Sequence, residues 1–367
     1  MQNPNSIDNR IVMTLDAGGT NFIFSAIKEN EPIIDPIRFE PHANKLEKCL
    51  KTIIKGFEVV KEKLIEAPAA ISFAFPGPAD YPNGIIGNLP NFPAFSGGVA
   101  LGPMLEHHFK IPVFINNDGN LFAYGESKKG FLRELNQDLE RAKSLKKFKN
   151  LIGITLGTGF GVGIINNGQL IIGDNSNGGE GWPMRDILNT NSYVEEHISR
   201  EGIRRSYANK SGLDLKEVGS PVDIYLIAKG AQEGNKQAAL ETFEDFGTVL
   251  GEAIANLIAI VDGIVVFGGG ISKAFDLFSP SMFKQLRSSY ILPNGNAIDR
   301  LPQQIFNLQD PNERNSFLKG VKKEIEVPGA DKKLTYEPYF KIGIGVSKYD
   351  TAQMIAIGAY NLALNRL

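Results

Sequence analysis

The residues best suited to chemistry follow short apolar runs. Ile11–Leu15 leads into Asp16 and a Gly-rich turn, and similar turns follow Leu151–Leu156 and Gly263–Phe267. Their sequences are Gly18-Gly19-Thr20-Asn21, Gly157-Thr158-Gly159 (continuing to Gly163) and Gly268-Gly269-Gly270. Glycine lets a backbone approach a ligand closely, and successive backbone N–H groups bind anions. Although each turn alone could be only a tight hairpin, the three together predict sites for phosphates.

Carboxylates close to these runs are candidates for proton transfer and metal binding. Asp118 follows the apolar run Val113–Ile115, inside Asn116-Asn117-Asp118-Gly119-Asn120. There it could accept a proton from a substrate hydroxyl, with asparagines suited to a polyol, or form an Asx-rich turn before a helix from Leu121. Asp16 could hold Mg²⁺, directly or through water, or cap its turn. Glu180, in the glycine-rich stretch Asn177–Trp182, alone would more often be an exposed loop acid.

The elements that must position these residues indicate an α/β protein. A strand–turn–strand unit begins at Ile11 and a second begins at Leu151, with equivalent leucines at 15 and 156. The repeat predicts two related α/β domains that face each other across a cleft. Helical spacing predicts helices over 45–64, 131–150 and 350–364, whereas residues 275–345 are expected to be irregular.

Composition excludes several classes of protein. The chain has 39 basic and 41 acidic residues, a net charge of −2, which does not favour nonspecific nucleic-acid binding. Its single cysteine excludes a disulfide framework and a multi-thiolate metal site. Neither a secretion signal nor a membrane span is visible, so we expect a cytoplasmic protein. There is no Walker motif, and no Gly-x-Gly-x-x-Gly sequence opens a helix after the first strand.

Taken in order, the motifs resemble those of the ROK family (repressors, open reading frames and sugar kinases). This family has the actin/hexokinase/Hsp70-like ATPase fold. The resemblance covers roughly residues 11–199 and 261–364. It is carried by Leu15–Asn21, Phe75–Pro78, Asn88–Phe92, Asn117–Asn120 with Gly125-Glu126, Leu156–Gly163 with Asn167-Gly168, Gly179–Gly181 and Val266–Gly270.

The resemblance implies two actin-like (ribonuclease H-like) ATPase domains with a cleft between them. The expected domains are 1–122, completed by a C-terminal helix at 350–367, and 123–349. The implied activity is ATP-dependent phosphorylation of a hexose at its 6-hydroxyl, most of all glucokinase activity. Dimers or tetramers are also expected.

Site roles follow from the same resemblance. Asp118 is the implied catalytic base, and the implied sugar ligands are Asn91, Asn117, Asp118, Glu180 and Glu195. Phosphates are expected at Gly18, Gly19, Thr20, Asn21, Thr158 and Gly159, and adenosine near Gly268, Gly269 and Gly270. ATP and Mg²⁺ are the expected cofactors.

The chain departs from the family in one segment. Many members carry a histidine and a three-cysteine zinc motif after the segment that matches Gly179-Glu180-Gly181. Here Trp182 stands near the position of the histidine, and 186–193 contains no cysteine. We therefore expect no zinc, and Glu195 would have to be placed by packing instead. The indole of Trp182 could stack on a pyranose face.

Other functions remain open. An N-acetylhexosamine kinase or a fructokinase would use the same motifs, and the sequence does not separate them. A non-catalytic sugar sensor and a protein-binding ATPase are further alternatives. A DNA-binding repressor would need a helix-turn-helix domain, whereas about ten residues precede Ile11.

Overall fold

The computed structural model describes residues 8–17, 21–77, 79–87 and 93–367. Its strands are β1 (Val12–Ala17), β2 (Phe22–Lys28), β3 (Glu31–Pro32), β4 (Ile37–Phe39), β5 (Ala70–Ala74), β6 (Ala79–Asp80), β7 (Ile85–Ile86), β8 (Val99–Ala100), β9 (Val113–Asn116), β10 (Leu151–Leu156), β11 (Phe160–Asn166), β12 (Gln169–Leu170), β13 (Ile264–Gly268), β14 (Ser289–Ile291), β15 (Ala297–Asp299), β16 (Gln304–Asn307), β17 (Lys323–Glu326), β18 (Lys333–Tyr336) and β19 (Lys341–Val346).

Helices alternate with these strands. They are α1 (Leu46–Lys63), α2 (Leu101–Phe109), α3 (Asp118–Lys128), α4 (Phe131–Arg141), α5 (Arg200–Ser211), α6 (Pro221–Lys229), α7 (Lys236–Val261), α8 (Phe275–Leu286), α9 (Pro311–Lys319) and α10 (Thr351–Arg366). Short 3₁₀ helices cover Pro93–Phe95, Val194–Glu196 and Gly270–Ala274.

The chain divides into two compact units. The first comprises Met1–Gly130, Gln169–Gly179 and Tyr349–Leu367, and the second comprises Phe131–Gly168 and Glu180–Lys348. The domain boundaries expected from the sequence stay predictions; the expected junction at 122/123 lies within α3.

The first unit is built on a mixed sheet of order β3-β2-β1-β5-β9, with β4 also paired to β2. Strand β1 runs antiparallel to β2 and parallel to β5, and β5 runs parallel to β9. Since β1 and β5 are central, their apolar side chains are buried, as a sheet covered on both faces requires. The carboxyl ends of β1, β5 and β9 therefore meet at one edge of the sheet.

The second unit repeats this plan. Its sheet has the order β11-β10-β13-β19-β16, in which β10 and β11 are antiparallel and β10, β13, β19 and β16 are parallel. The long helix α7 packs against α8 and contributes much of the buried apolar surface. The expectation of an α/β protein with two related units, each with a mixed sheet, is confirmed.

Three sequence expectations about elements were wrong. Helix α3 begins at Asp118 rather than Leu121, because Asn117 caps it. Helix α4 ends at Arg141, and 145–150 are not helical. Residues 275–345 are largely ordered and form α8, α9 and β14–β19. The sequence did not predict these strands, because each is only three to six residues long and gives a weak periodic signal.

Among the described residues, no helix combines the length and the apolar character needed to cross a membrane. The cytoplasmic location expected from the sequence stays a prediction.

Candidate active site

Asp118 lies in the first turn of α3, at the carboxyl edge of the first sheet. The preceding residue, Asn117, accepts the N–H of Asn120 at 2.6 Å and so caps the helix. Asn116 Oδ1 accepts the Asn117 N–H at 2.8 Å and the Asn120 side-chain amide at 2.9 Å. All three asparagines are buried. This amide network fixes the backbone on which Asp118 is mounted.

Two opposing influences act on the Asp118 carboxyl. The surrounding protein displaces water and raises the pKa of Asp118, while hydrogen bonds from the N–H groups of Gly119 (2.9 Å) and Asp118 itself lower it; the net shift is upward. The side chain nevertheless has an exposed surface. A carboxylate that solvent or a ligand can reach, and whose pKa is raised, is well suited to accept a proton from a hydroxyl.

Asp16 lies at the end of β1 and is half-buried. Its pKa is raised, first by burial and then by the negative charges of Asp118 and Asp350. Asp350 caps α10, because its carboxylate accepts the N–H groups of Ala352 and Gln353. Its influence on Asp16 was missed, since the two residues are more than 300 positions apart in the chain.

The negative charges close to Asp16 favour the binding of a cation there. A carboxylate whose pKa is raised by neighbouring negative charges is stabilised by a positive charge placed beside it. The described residues contain no group of three or more His, Cys, Asp or Glu side chains able to hold a metal by themselves. Mg²⁺ in kinase sites is commonly bound by one or two carboxylates together with phosphate oxygens and water.

The first glycine turn is only partly described. Gly18, Gly19 and Thr20, and the sugar candidate Asn91, lie outside the described residues. Asn21 is exposed just before β2, and Ala17 pairs with Phe22 across the turn. The roles expected for these residues stay predictions.

The glycine turn of the second unit connects β10 to β11. Gly157 N–H donates to the Gly159 carbonyl at 3.2 Å, and Leu156 pairs with Phe160. Thr158, at the tip, is exposed, and the two glycines are half-buried. The turn thus presents backbone and a hydroxyl to a ligand, which agrees with the phosphate role expected of Thr158 and Gly159 without testing it.

The turn formed by Gly268, Gly269 and Gly270 lies beside the Gly157–Gly159 turn. Strand β13 runs parallel to β10, with Gly268 in register with Thr155, so both turns leave the same edge of the sheet. Gly269 has a φ of +87°, and a Cβ there would lie 2.2 Å from the Leu156 carbonyl oxygen. Only glycine fits this contact. A Cβ on the exposed Gly270 would meet nothing within 4 Å, which leaves room for a ligand.

Glu195 lies against the Gly157–Gly159 turn. It belongs to the 3₁₀ helix Val194–Glu196, and its Oε2 accepts the N–H of Phe160 at 2.8 Å. A Cβ on Gly159 would lie 2.4 Å from the same oxygen. This contact could not be predicted from the sequence, because it joins residues 35 positions apart. The sugar-binding role expected for Glu195 stays a prediction.

The segment beginning at Glu180 contains the other sugar candidates. Glu180 is half-buried, whereas Trp182 is 42% exposed and its ring packs edge-on against Tyr193 with centroids 5.6 Å apart. The exposed indole leaves the proposed stacking on a sugar ring open.

Comparison with known proteins identifies the class. The family model "ROK family" matches residues 12–299, and the chain belongs to the ROK family. A crystal structure of a glucokinase from Parabacteroides distasonis is similar over the whole of both chains, with 46% sequence identity and a TM-score of 0.89.

Two further relatives are less similar to this chain in sequence than that glucokinase is. A glucokinase of Thermotoga maritima is 30% identical over 298 residues, covering 76% of this chain and 88% of the relative. An N-acetyl-D-glucosamine kinase of Vibrio cholerae is 27% identical over 285 residues, covering 74% of this chain and 87% of the relative.

Proposed function

We propose that this protein is a glucokinase, which transfers the γ-phosphoryl group of ATP to the 6-hydroxyl of glucose. The observation that carries this proposal is the full-length likeness, at 46% identity, to the glucokinase of Parabacteroides distasonis. The geometry agrees with it, since Asp118 is an accessible carboxylate with a raised pKa on a rigid helix start.

In this reaction Asp118 removes the proton from the sugar 6-hydroxyl as its oxygen attacks the γ-phosphorus. The bond between the γ-phosphorus and the β,γ-bridging oxygen breaks, and ADP leaves. Asn91, Asn117, Glu180 and Glu195 bind the remaining hydroxyls of the sugar. Because phosphoryl transfer depends mainly on positioning and charge stabilisation, holding the sugar in one orientation supplies much of the rate enhancement.

The nucleotide is bound by backbone. Gly18, Gly19, Thr20 and Asn21, together with Thr158 and Gly159, bind the phosphates, and Gly268, Gly269 and Gly270 lie near adenosine. Asp16 would hold Mg²⁺, which when bound would neutralise charge on the phosphates. The clustering of negative charge that raises the pKa of Asp16 supports this assignment.

A second substrate class has an observation in its favour. The Vibrio cholerae relative is an N-acetyl-D-glucosamine kinase, and it matches most of this chain almost as well as the Thermotoga maritima glucokinase. An N-acetylhexosamine therefore competes with glucose as the preferred substrate. The fructokinase and sugar-sensor alternatives have no such observation.

A coupled assay of ADP release separates these substrates. It uses ATP–Mg²⁺ with glucose, mannose, fructose, N-acetylglucosamine or N-acetylmannosamine, and parallel reactions with EDTA or added Zn²⁺. We expect the highest kcat/KM with glucose, loss of turnover in EDTA with restoration by Mg²⁺, and no need for Zn²⁺. A higher kcat/KM with N-acetylglucosamine would favour the second class, and absence of turnover with every sugar would favour a sensor.

We also propose self-association through the β17–β18 hairpin. Ile325 and Leu334 are paired across it on one face and are 42% and 50% exposed. The base of the hairpin is fixed by the buried ion pair of Lys341 and Glu337, at 2.7 Å. All four residues of β17 are exposed, and an exposed strand edge is a template for pairing with a second copy of the chain.

Mass measurement by light scattering tests this surface. We expect a dimer or tetramer for the parent protein and a smaller mass for Ile325→Lys combined with Leu334→Lys. The control, Ile260→Lys, changes an apolar residue that is 85% exposed on α7. A monomeric parent, or an unchanged mass in the double variant, would contradict the proposal.

A further inference from the structure

A buried carboxylate closes the loop that follows Trp182. Asp186 is fully buried, and its Oδ1 accepts the N–H groups of Leu188 at 2.8 Å and Asn189 at 3.2 Å. Its Oδ2 pairs with Nδ1 of His197. Both oxygens are engaged, as a carboxylate removed from water requires.

The pair joins residues that are eleven positions apart in the chain. Two backbone bonds close the same loop: Val194 N–H donates to the Met184 carbonyl at 2.8 Å, and Asp186 N–H donates to the Ser192 carbonyl at 3.2 Å. Several side chains inside the loop, including Ile187 and Leu188, are exposed. Since these exposed residues bury little apolar surface, Asp186 and the backbone bonds must determine the shape of the loop.

A zinc ion does not fit here. The segment contains no cysteine, and the one buried carboxylate is already satisfied by two N–H groups and a histidine. In the part of the chain that is described, no set of three potential ligands comes together. The loop is therefore organised by hydrogen bonds.

The closed loop leads directly to the glycine turn. His197 follows Glu195 by two residues, and Glu195 Oε2 accepts the Phe160 N–H at 2.8 Å. Arg200 N–H donates to the Gly157 carbonyl at 2.9 Å. The segment that begins at Glu195 thus contacts the Gly157–Phe160 backbone at two points.

We propose that the Asp186–His197 pair takes the place of a metal in this protein: it positions Glu195, and through Glu195 the Gly157–Gly159 turn, for catalysis. Asp186 and His197 are thus positioning residues, which touch neither sugar nor nucleotide. The catalytic part of this inference rests on the proposed kinase function, whereas the structural part does not.

Two disrupting variants, one rescue variant and one control test the pair. Asp186→Asn weakens it, and His197→Leu removes the ring nitrogen while leaving Asp186 in place. His197→Asn is the rescue variant, since its side-chain amide can donate to Asp186 from nearly the same position. Glu196→Gln is the matched control, because it alters the more exposed pair of Glu196 and Arg205 (2.5 Å) one residue from Glu195.

Trp182 reports on the loop independently of activity. It is the single tryptophan of the chain and contacts Tyr193 inside the loop. We expect acrylamide quenching of its fluorescence, and protease cleavage within 187–193, to increase in Asp186→Asn and His197→Leu. Both should stay at the parental level in His197→Asn and Glu196→Gln, and in the parent protein after dialysis against EDTA. Increased quenching or cleavage of the EDTA-treated parent would show that a metal holds the loop and would overturn the proposal.

Kinetics then tests the positioning role. We expect KM for ATP and for the sugar to rise about tenfold or more in His197→Leu, with a smaller change in kcat, and to stay within about twofold of the parent in Glu196→Gln. If Asp186→Asn does not fold, His197→Leu carries the test, because His197 is partly exposed. Unchanged quenching and unchanged KM in His197→Leu would refute the inference. Altered quenching in a protein without any sugar-kinase activity would instead refute the proposed function and leave the structural role of the pair intact.

Discussion

At the scale of single residues, Asp118 and Asp16 are both carboxyl groups whose pKa is raised in the folded protein. The negative charge of Asp118 raises the pKa of Asp16, and burial raises both values. In the absence of a cation and substrate, this arrangement is unfavourable for folding. Such a cost is typical of an active site, in which charged groups are held ready for a ligand.

Replacing the base tests the role of Asp118. In Asp118→Asn the side chain keeps its size and can still accept the Gly119 N–H, but it cannot take a proton. We expect kcat to fall by about 10²–10⁴-fold, the usual contribution of a general base, with sugar affinity largely retained. Steady-state kinetics and equilibrium binding of glucose measure the two effects, with the exposed Glu62→Gln as control. Near-normal turnover would remove Asp118 from this role.

The same variant makes a prediction about stability and pH. An acid whose pKa is higher in the folded than in the unfolded chain binds its proton more tightly when folded, so its ionised form destabilises the fold above that pKa. The destabilisation begins to shrink as the pH falls through the folded pKa, and it disappears below the unfolded pKa. Without ligands, Asp118→Asn should therefore melt at a higher temperature than the parent at pH 7, with a difference that shrinks toward acid pH. A lower melting temperature at pH 7 would contradict the raised pKa.

The sequence predicted some of these residues and not others, for a physical reason. Asp118 and Asp16 were recognisable because each follows an apolar strand, and parallel strands end together at one edge. The influence of Asp350 on Asp16 and the bond between Glu195 and Phe160 could not be predicted, since they depend on how distant segments pack. Asp186 and His197 were not recognised either, because a buried pair has no local sequence signature.

At the scale of elements, the start of α3 is held in place by a close crossing with α10. A Cβ on Gly125 would lie 2.0 Å from the Met354 carbonyl oxygen, and a Cβ on Gly358 would lie 1.8 Å from that of Leu121. The two helices therefore touch backbone to backbone. Asp118 begins α3 and Asp350 caps α10, so this contact between the helices sets the distance between the two carboxylates.

Filling that contact should separate the helices. We expect Gly358→Val to destabilise the protein by about 3 kcal/mol or more, at or above the upper end of the overpacking range, because the neighbouring carbonyl belongs to a helix and cannot rotate away. The control is Ala356→Val on the same helix at a half-buried position. Chemical denaturation measures both variants. Equal midpoints in the two would show that the crossing tolerates a side chain.

Element boundaries were predictable to different degrees. The buried strands β1, β10 and β13 were evident from runs of apolar and β-branched residues. Ribbons β14–β15 and β17–β18 were not, because two-stranded elements with exposed faces lack a clear hydrophobic pattern.

At the scale of the whole molecule, the two units use one plan. Each opens with an antiparallel pair whose turn is rich in glycine, and each continues into parallel strands that end at the same edge. The weak repeat between residues 15 and 156 was enough to predict this plan. It could not identify the preferred sugar, since that choice depends on a few contacts.

Binding should stabilise the folded molecule as a whole. A ligand that binds the native state alone adds about 2.7 kcal/mol at a concentration 100 times its Kd. Glucose at that concentration should therefore raise the melting temperature, whereas a sugar that is not a substrate should not. A thermal shift with fructose but not glucose would point to the fructokinase alternative.

The most direct test of the account is to identify the product. The protein is incubated with ATP–Mg²⁺ and glucose, or with 6-deoxyglucose, which lacks only the reacting hydroxyl, and the products are examined by ³¹P NMR and mass spectrometry. We predict glucose 6-phosphate from glucose and no phosphorylated sugar from 6-deoxyglucose. A phosphate on another hydroxyl, phosphorylation of 6-deoxyglucose, or no sugar phosphate at all would contradict a glucokinase that acts at the 6-hydroxyl through Asp118.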